Sequence, residues 1–236
     1  INDTATATLS GAWDQPGSDL GLLHVGNTTV QPVDNLSAVA CETDVVIDFT
    51  APDATTRNAQ LCAEHGTALV VGTTGLTADQ QAVLDRCAQT IPLVQAPNMS
   101  IGVNVMLAII ADASRMLGPD YDLEIVEAHH KHKVDAPSGT ALRLLDSLKT
   151  VRADSFGQHV RDGQIGPRHA DEIGIQTLRG GDVVGEHTVF YFGEGERLEI
   201  THRATDRRIF ARGAVRAALW AVQQTPGRYG MSDVLR

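Results

Sequence analysis

Several things are scarce in this chain, and each scarcity removes a class of function. No hydrophobic stretch is long enough to cross a bilayer. The longest apolar run, around Ile101 to Ile110, is interrupted by Gly102 and Asn104 and falls short of the ~20 residues a span requires. The opening residues Ile1-Asn2-Asp3-Thr4-Ala5-Thr6 contain neither a positive n-region nor an apolar core, so no secretory leader is expected. Cysteine is sparse: Cys41, Cys62 and Cys87 form no CxxC pair and no even set, which points to reduced thiols and a cytoplasmic location. Positive charge is in deficit. A net charge of -10 argues against non-specific nucleic-acid binding, which needs a basic surface. Internal repeats and low-complexity tracts are missing, and Arg161 to Asp171 reads as a polar loop. What remains, at 236 residues and 42% hydrophobic, is a globular chain with enough apolar material for one large domain or two modest ones.

The first half alternates short apolar strands with helical runs. Strands are expected at Ala5 to Ala12, Val45 to Phe49, Ala68 to Val71 and Ile91 to Val94, with helices from Thr55 to His65 and Thr77 to Gln89. Such alternation with nearly continuous apolar strands implies a parallel sheet covered on both faces. Gly72-Thr73-Thr74-Gly75 follows one strand and precedes a helix that Thr77 would cap, the context of a nucleotide-binding turn and, alone, a weak signal. After Asn98 the pattern changes. A helix from Val103 to Met116 leads to a loop rich in histidine and lysine, then a helix and a polar stretch. Three strands rich in β-branched and aromatic residues follow, Ile173 to Arg179, Val183 to Phe192 and Arg197 to Arg203, with glycine-containing turns between them. They read as an antiparallel meander. The last long helix, Phe210 to Gln223, has an apolar face suited to return onto the first domain. The fold class is therefore α/β with an α+β insertion.

Chemistry concentrates between Glu127 and Ala141. Strand Leu123 to Val126 delivers His129, His130, His132, Lys131 and Lys133 to its C-terminal end, where α/β proteins gather functional groups. Pro137 stops the extended run, and Ser138-Gly139-Thr140 opens a helix with Ser138 as N-cap. A carboxylate or phosphate there would gain from the first-turn amides and the positive end of the helix dipole. A zinc site built from His129, His130, His132 and Asp135 competes with this reading. The interleaved lysines, and the opposite directions of adjacent residues on a strand, weigh against it. Asp135 reads as orienting a histidine or a lysine, and His132 has no assigned role.

Glu127-Ala128-His129-His130-Lys131-His132-Lys133-Val134-Asp135-Ala136-Pro137-Ser138-Gly139-Thr140-Ala141 resembles the signature of the dihydrodipicolinate reductase family. Asp48-Phe49-Thr50, Gly72 to Gly75, Asn98 to Asn104, Gly181 to His187 and Leu198 to His202 agree with it in order. The resemblance runs from about residue 7 to near the C-terminus. It implies a Rossmann-type parallel-sheet dinucleotide-binding domain over residues 1–99 and 208–236. It also implies an α+β substrate-binding and oligomerisation domain with an antiparallel or mixed sheet over residues 100–207. One departure stands out: the family's first strand and glycine-rich phosphate loop have no counterpart in this sequence, and Gly17 to Val30 is short against the family pattern. A doubly wound sheet without that strand is expected to carry a slot.

The reaction the resemblance implies is reduction of a cyclic imine-type dicarboxylate, with hydride from NADH or NADPH. His129 would be the general acid and Lys133 would hold a carboxylate and assist proton donation. His130, Ser138, Gly139, Thr140 and Arg207 would hold the rest of the substrate. On the cofactor side it points to Asp14, Gln15, Phe49, Gly72, Thr73, Thr74, Ala96, Pro97, Asn98 and Met99, with NADH used at least as well as NADPH. Asp14 follows the second expected strand, where an acidic residue meets the adenosine ribose; its plain alternative is a turn residue. Arg207 has a surface ion pair as its plain alternative. A homotetramer formed through the C-terminal-domain sheet is expected, without nucleic-acid or membrane partners. A non-catalytic dicarboxylate- or nucleotide-binding module is the competing class. A semialdehyde dehydrogenase is disfavoured because no cysteine lies in an electropositive loop.

Overall fold

A computed structural model describes residues 1–236 except Asn2, Asp3, Pro16, Ser18, Asp19, Leu20, Gly26 and Asn27. The turn at Gln15-Pro16-Gly17 and the short Gly17 to Val30 stretch thus lie partly outside the described residues. In order, the elements are β1 (Leu23–Val25), β2 (Thr28–Val30), α1 (Ser37–Ala40), β3 (Val45–Asp48), α2 (Pro52–His65), β4 (Ala68–Val71), α3 (Ala78–Cys87) and β5 (Pro92–Gln95). These are followed by α4 (Ile101–Leu117), β6 (Asp122–His129), α5 (Gly139–Lys149), β7 (Phe156–Gln158), β8 (Glu172–Arg179), β9 (Gly185–Gly193) and β10 (Glu196–Ala204), then α6 (Arg208–Ala221), β11 (Gly227–Tyr229) and α7 (Met231–Val234). Two compact units result: Ile1–Met99 with Phe210–Arg236, and Ser100–Ile209.

The first unit is built on a four-stranded sheet in the order β11-β5-β4-β3, parallel throughout. Every residue of β4 is buried, as befits a central strand covered on both faces. Thr77 caps α3 in a reciprocal box: Gln80 N–H donates to its hydroxyl at 3.3 Å while Thr77 N–H donates to the Gln80 side chain at 2.8 Å. In α6, Gly213, Ala214, Ala217, Ala218 and Ala221 are buried. Gly213 is required there, because a Cβ at this position would lie 1.7 Å from the Met99 carbonyl oxygen.

One expected strand of this unit does not form. Residues 5–12 carry no strand pairing, and only an isolated parallel bridge joins Trp13 to Val33. β3 is the sheet edge, and a cavity of about 580 Å3 is lined by β3, the Thr6 to Trp13 segment, Val215, Ala218 and Leu219 of α6, and Val222 just beyond it. The Ala5 to Ala12 pattern has strand propensity, but propensity needs a hydrogen-bonding neighbour to become a strand.

The second unit is a five-stranded sheet in the order β10-β9-β6-β8-β7. Leu123, Ile125, Ile173, Ile175, Val189 and Tyr191 form its core with Met106 and Ile110 of α4 and Ala141, Leu144 and Leu148 of α5. The Tyr191 hydroxyl donates to the Ile110 carbonyl at 2.6 Å, which satisfies the polar end of the largest fully buried side chain. The expected meander is corrected in one respect. β9 and β10 form an antiparallel hairpin, but β8 pairs parallel with β6 and not with β9, and β6 is antiparallel to β9. β6 takes the centre because its alternate residues Leu123, Ile125 and Glu127 are fully buried and need neighbours on both sides. The connector from β8 to β9 must therefore cross the end of β6, where His130 N–H donates to Val183 O at 2.8 Å and Lys131 N–H to Gly181 O at 3.3 Å.

Candidate active site

The helix-facing side of the second sheet changes from apolar to polar within one step along the strands. By register, Ile200, Val189, Ile125 and Ile175 make one row across β10, β9, β6 and β8, and His202, His187, Glu127 and Thr177 make the next. Arg179 pairs with His129 beyond that. Period-two alternation keeps all of these side chains on one face. The polar rows begin where the helices above them start. Ser100, the N-cap of α4, lies 3.5 Å from His202 Nε2, and Ser138, the N-cap of α5, shares a 2.9 Å hydrogen bond with His187 Nε2.

Glu127 is the hub. It is fully buried; its Oε1 accepts from Ser138 N–H at 3.0 Å, Thr177 Oγ1 at 3.2 Å and Arg179 Nη2 at 2.8 Å. Its Oε2 accepts from Arg179 Nη1 at 2.8 Å and lies 2.6 Å from His129 Nδ1. Burial alone would raise this carboxyl, but hydrogen bonds from Arg179, His129 and the Ser138 amide outweigh it and hold the group at about 2. An ionised carboxylate can only accept, so His129 Nδ1 carries a hydrogen and Nε2 is left for other chemistry. Burial pushes the His129 pKa down and the Glu127 contact pushes it back up, with Lys133 and Arg179 adding to the lowering. Gly185 leaves room for the ring: a Cβ there would lie 3.0 Å from His129 Nε2.

The remaining predicted residues of this unit fall into two groups. Lys133 donates to Asp135 Oδ1 at 2.7 Å, so the carboxylate of Asp135 orients the lysine rather than a histidine. Ser138 is buried and its hydroxyl accepts from Ala141 N–H at 3.1 Å, while Gly139 and Thr140 form the first turn of α5. His130 and Arg207 come together elsewhere, with Arg207 Nη2 3.4 Å from His130 Nε2. They line a cavity of about 590 Å3 with Lys131, His132, Gly181, Asp182 and Val184. The His132 ring is 6.3 Å from that of His130. Among the described residues, no three of His, Cys, Asp and Glu converge as metal ligands do.

In the first unit, Asp48, Val71 and Gln95 are in register, so the three loops that follow leave one sheet edge side by side. Phe49, Gly72, Thr73, Thr74, Ala96, Pro97, Asn98 and Met99 are thereby gathered. Phe49 is exposed and its ring occupies the space over Gly72, where a Cβ would lie 2.1 Å from it. Thr73 is buried and accepts from Thr55 Oγ1 at 2.8 Å. Asp48, also buried, accepts from Thr50 N–H, Thr50 Oγ1 and Asn58 Nδ2 at 2.8, 2.6 and 3.0 Å, which fastens the loop after β3. Ala96 and Met99 have buried side chains, so in this arrangement they could meet a ligand only through the backbone. Asp14 N–H donates to Val33 O at 3.1 Å, and its carboxylate accepts from Gln15 N–H at 2.7 Å.

Two family profiles cover nearly the entire chain: dihydrodipicolinate reductase, N-terminus, over residues 1–99, and dihydrodipicolinate reductase, C-terminus, over residues 102–235. The chain belongs to the dihydrodipicolinate reductase family. It is 51% identical over 245 aligned positions to the 4-hydroxy-tetrahydrodipicolinate reductase of Anaeromyxobacter dehalogenans (strain 2CP-1), with 100% of this chain and 90% of the relative covered. Identity to the enzyme of that name from Chromohalobacter salexigens is 52%, over 100% of this chain and 91% of that one. Among solved structures, the dipicolinate-bound dihydrodipicolinate reductase from Paenisporosarcina sp. TG-14 matches with a TM-score of 0.77 at 26% identity, covering 95% of this chain and 89% of that one. This family member thus has the expected Rossmann-type unit and α+β unit. Sequence reasoning had quoted Glu127, His187 and His202 within motifs but gave them no role, and it had missed Arg179 and Thr177. For Glu127 a signal was present, since it is two residues from His129 and shares its face on a strand. Arg179 carried none, because its place depends on the β6–β8 register.

Proposed function

We propose that this chain catalyses the reaction for which its relatives are named, the NADH- or NADPH-dependent reduction of 4-hydroxy-tetrahydrodipicolinate to tetrahydrodipicolinate in lysine and diaminopimelate biosynthesis. The observation that carries the residue assignment is the Glu127–His129 pair at 2.6 Å: an ionised buried carboxylate holds Nδ1, and Nε2 is the atom that gives up a proton. Lys133, paired with Asp135 at 2.7 Å, has two further N–H donors for a substrate carboxylate. The positive end of the α5 dipole, at Gly139 and Thr140, attracts the same class of anion, while the Ser138 amide is held by Glu127 Oε1. In that helix start the Ser138 hydroxyl serves as cap, so Gly139 and Thr140 face the ligand. Arg207 supplies a cationic contact at the adjoining cavity, with His130 beside it. A dicarboxylate is the ligand such a set of cations favours.

The aligned loop starts after β3, β4 and β5 fit a dinucleotide approaching the C-terminal ends of these strands. Phe49, Gly72, Thr73, Thr74, Ala96, Pro97, Asn98 and Met99 would hold its nicotinamide half, and Asp14 and Gln15 its adenosine ribose. The bound dinucleotide supplies the hydride. Residues 1–99 and 208–236 thus form the cofactor domain, and residues 100–207 the substrate and oligomerisation domain. A homotetramer built on the second sheet and a cytoplasmic location complete the reading. No helix among the described residues is long and apolar enough to cross a membrane.

A coupled assay with freshly generated substrate, following oxidation of NADH and NADPH in parallel, tests the reading. NADH is expected to serve at least as well as NADPH; a large preference for NADPH would remove the assignment at Asp14 and Gln15. His129→Ala should lower turnover about 10²- to 10⁴-fold while dinucleotide binding, followed by calorimetry, holds. Lys133→Ala should lose both turnover and affinity for the dicarboxylate.

A further inference from the structure

We propose that Glu127, clamped by Arg179, is the positioning residue of the reaction: it fixes the tautomer of His129 and ties that ring to the start of α5. The inference rests on the assignment of His129 as proton donor and adds a residue that never needs to touch substrate. Three observations on separate elements support it. First, the carboxylate is fully buried and still makes five polar contacts, to Ser138, Thr177, His129 and both terminal nitrogens of Arg179. A buried carboxylate satisfied to this degree is held in one orientation. Second, Arg179 also donates to the Asp135 carbonyl at 2.7 Å, so the same guanidinium anchors the segment that carries Lys133. Third, the two carboxylate oxygens divide the site: Oε2 takes the histidine, and Oε1 takes the Ser138 amide that begins α5. One side chain therefore sets the distance between the proton donor and the helix start that receives the anion.

The donor count makes the role testable. Oε1 faces three donors, and Oε2 faces the histidine and one arginine nitrogen. In Glu127→Gln the amide oxygen is best used toward the three donors, which turns the NH2 group to His129 Nδ1. His129 must then accept at Nδ1 and carry its neutral-state hydrogen on Nε2, the opposite of the native arrangement. Removing the carboxylate also removes what favours the imidazolium against burial. The charged and titratable groups that face this ring are Glu127 on its own strand, Arg179 on β8, His187 on β9 and Lys133 in the following loop. After the change, only cations and a neutral histidine remain around it.

Glu127→Gln should lower kcat at least about 10- to 100-fold, the loss known for a carboxylate that orients a metal-bound histidine, with KM for the dicarboxylate within about threefold. The alkaline limb of kcat/KM, along which activity falls as His129 loses its proton, should move to lower pH, and Glu127→Asp should restore part of both effects. A carboxylate that merely holds the fold would lower stability without moving the limb, so a wild-type kcat or an unmoved limb in folded Glu127→Gln overturns the proposal. One measurement needs no Glu127 variant: 15N chemical shifts of histidine-labelled wild-type protein, with His129 assigned through His129→Gln. Above its titration His129 should be the Nδ1–H tautomer, and an Nε2–H tautomer overturns the proposal even if Glu127→Gln does not fold. Full turnover in His129→Ala would instead remove the proton-donor reading, and the tautomer result separates the two failures.

Discussion

His187 stands between His129 and His202 with its ring edge-on to His129, centroids 5.2 Å apart. Burial first, then the neighbouring His129, depresses its pKa from 6.5 to about 4. Well above pH 6.5 both folded and unfolded chains hold it uncharged, and it adds no pH dependence. Below 6.5 the unfolded chain binds a proton that the folded chain refuses until about 4, so stability is lost as pH falls, by roughly 3 kcal/mol across that window. His129 and His202 are lowered too and act in the same direction. The Glu127 carboxyl is depressed from 4.5 to about 2, so its contribution is lost only at more acid pH. The melting temperature should therefore fall between pH 7 and 5, and His187→Gln should show a flatter profile over that range; equal slopes would exclude the histidine as its source. At this scale the sequence showed the Ser138 cap and the nearness of His129 and Lys133 to it, because these residues are close in the chain. It could not show that Ser138 spends its hydroxyl on His187, 49 residues away.

Helix α6 packs through small residues, and Gly213 is the tightest of them. Alanine there would gain about 1 kcal/mol of helix propensity. The new Cβ would meet the Met99 carbonyl oxygen 1.7 Å away, a backbone atom that cannot turn aside, and overpacking of this kind costs about 1–3 kcal/mol. Gly213→Ala should thus lower the denaturant midpoint, and an unchanged or raised midpoint would show that α6 can shift. Legibility among the elements followed local signals. α3 begins after Thr77 as its capping pattern indicated, and α4, α5 and α6 lie within a few residues of their expected bounds. The failures concern partners, which local patterns do not encode. Residues 5–12 have the composition of a strand but no ladder. The three late strands look like a meander because they are consecutive, yet β6 lies between β8 and β9. Central strands are chosen by burial, and burial is settled by the whole sheet.

Across the molecule, the second sheet has one face under α4 and α5 and another that is partly apolar. On that outer face Phe190 and Phe192 stack 5.6 Å apart, with Arg197 over both rings, and Leu178 is 56% exposed. A surface of this kind fits association of like subunits. Light scattering should give the mass of a homotetramer for the wild type and a smaller mass for Phe192→Asp; an unchanged mass for the variant would locate the interface elsewhere. The two-unit plan, an antiparallel or mixed second sheet and the family were legible from ordered motifs spread along the chain, whereas the parallel β6–β8 pairing that brings Glu127 to Arg179 was not. The crossing of the β8–β9 connector over the end of β6 has a further consequence, for the order of folding. Glu127 meets Arg179 across 52 residues of sequence, and the connector can dock on His130 and Lys131 only after β6 has been taken in between its neighbours. Contacts this distant form late, since loop closure must be met before they contribute. The β9–β10 hairpin can assemble early and alone; the His129 end of β6 acquires its shape only in the closing steps, when the sheet is complete.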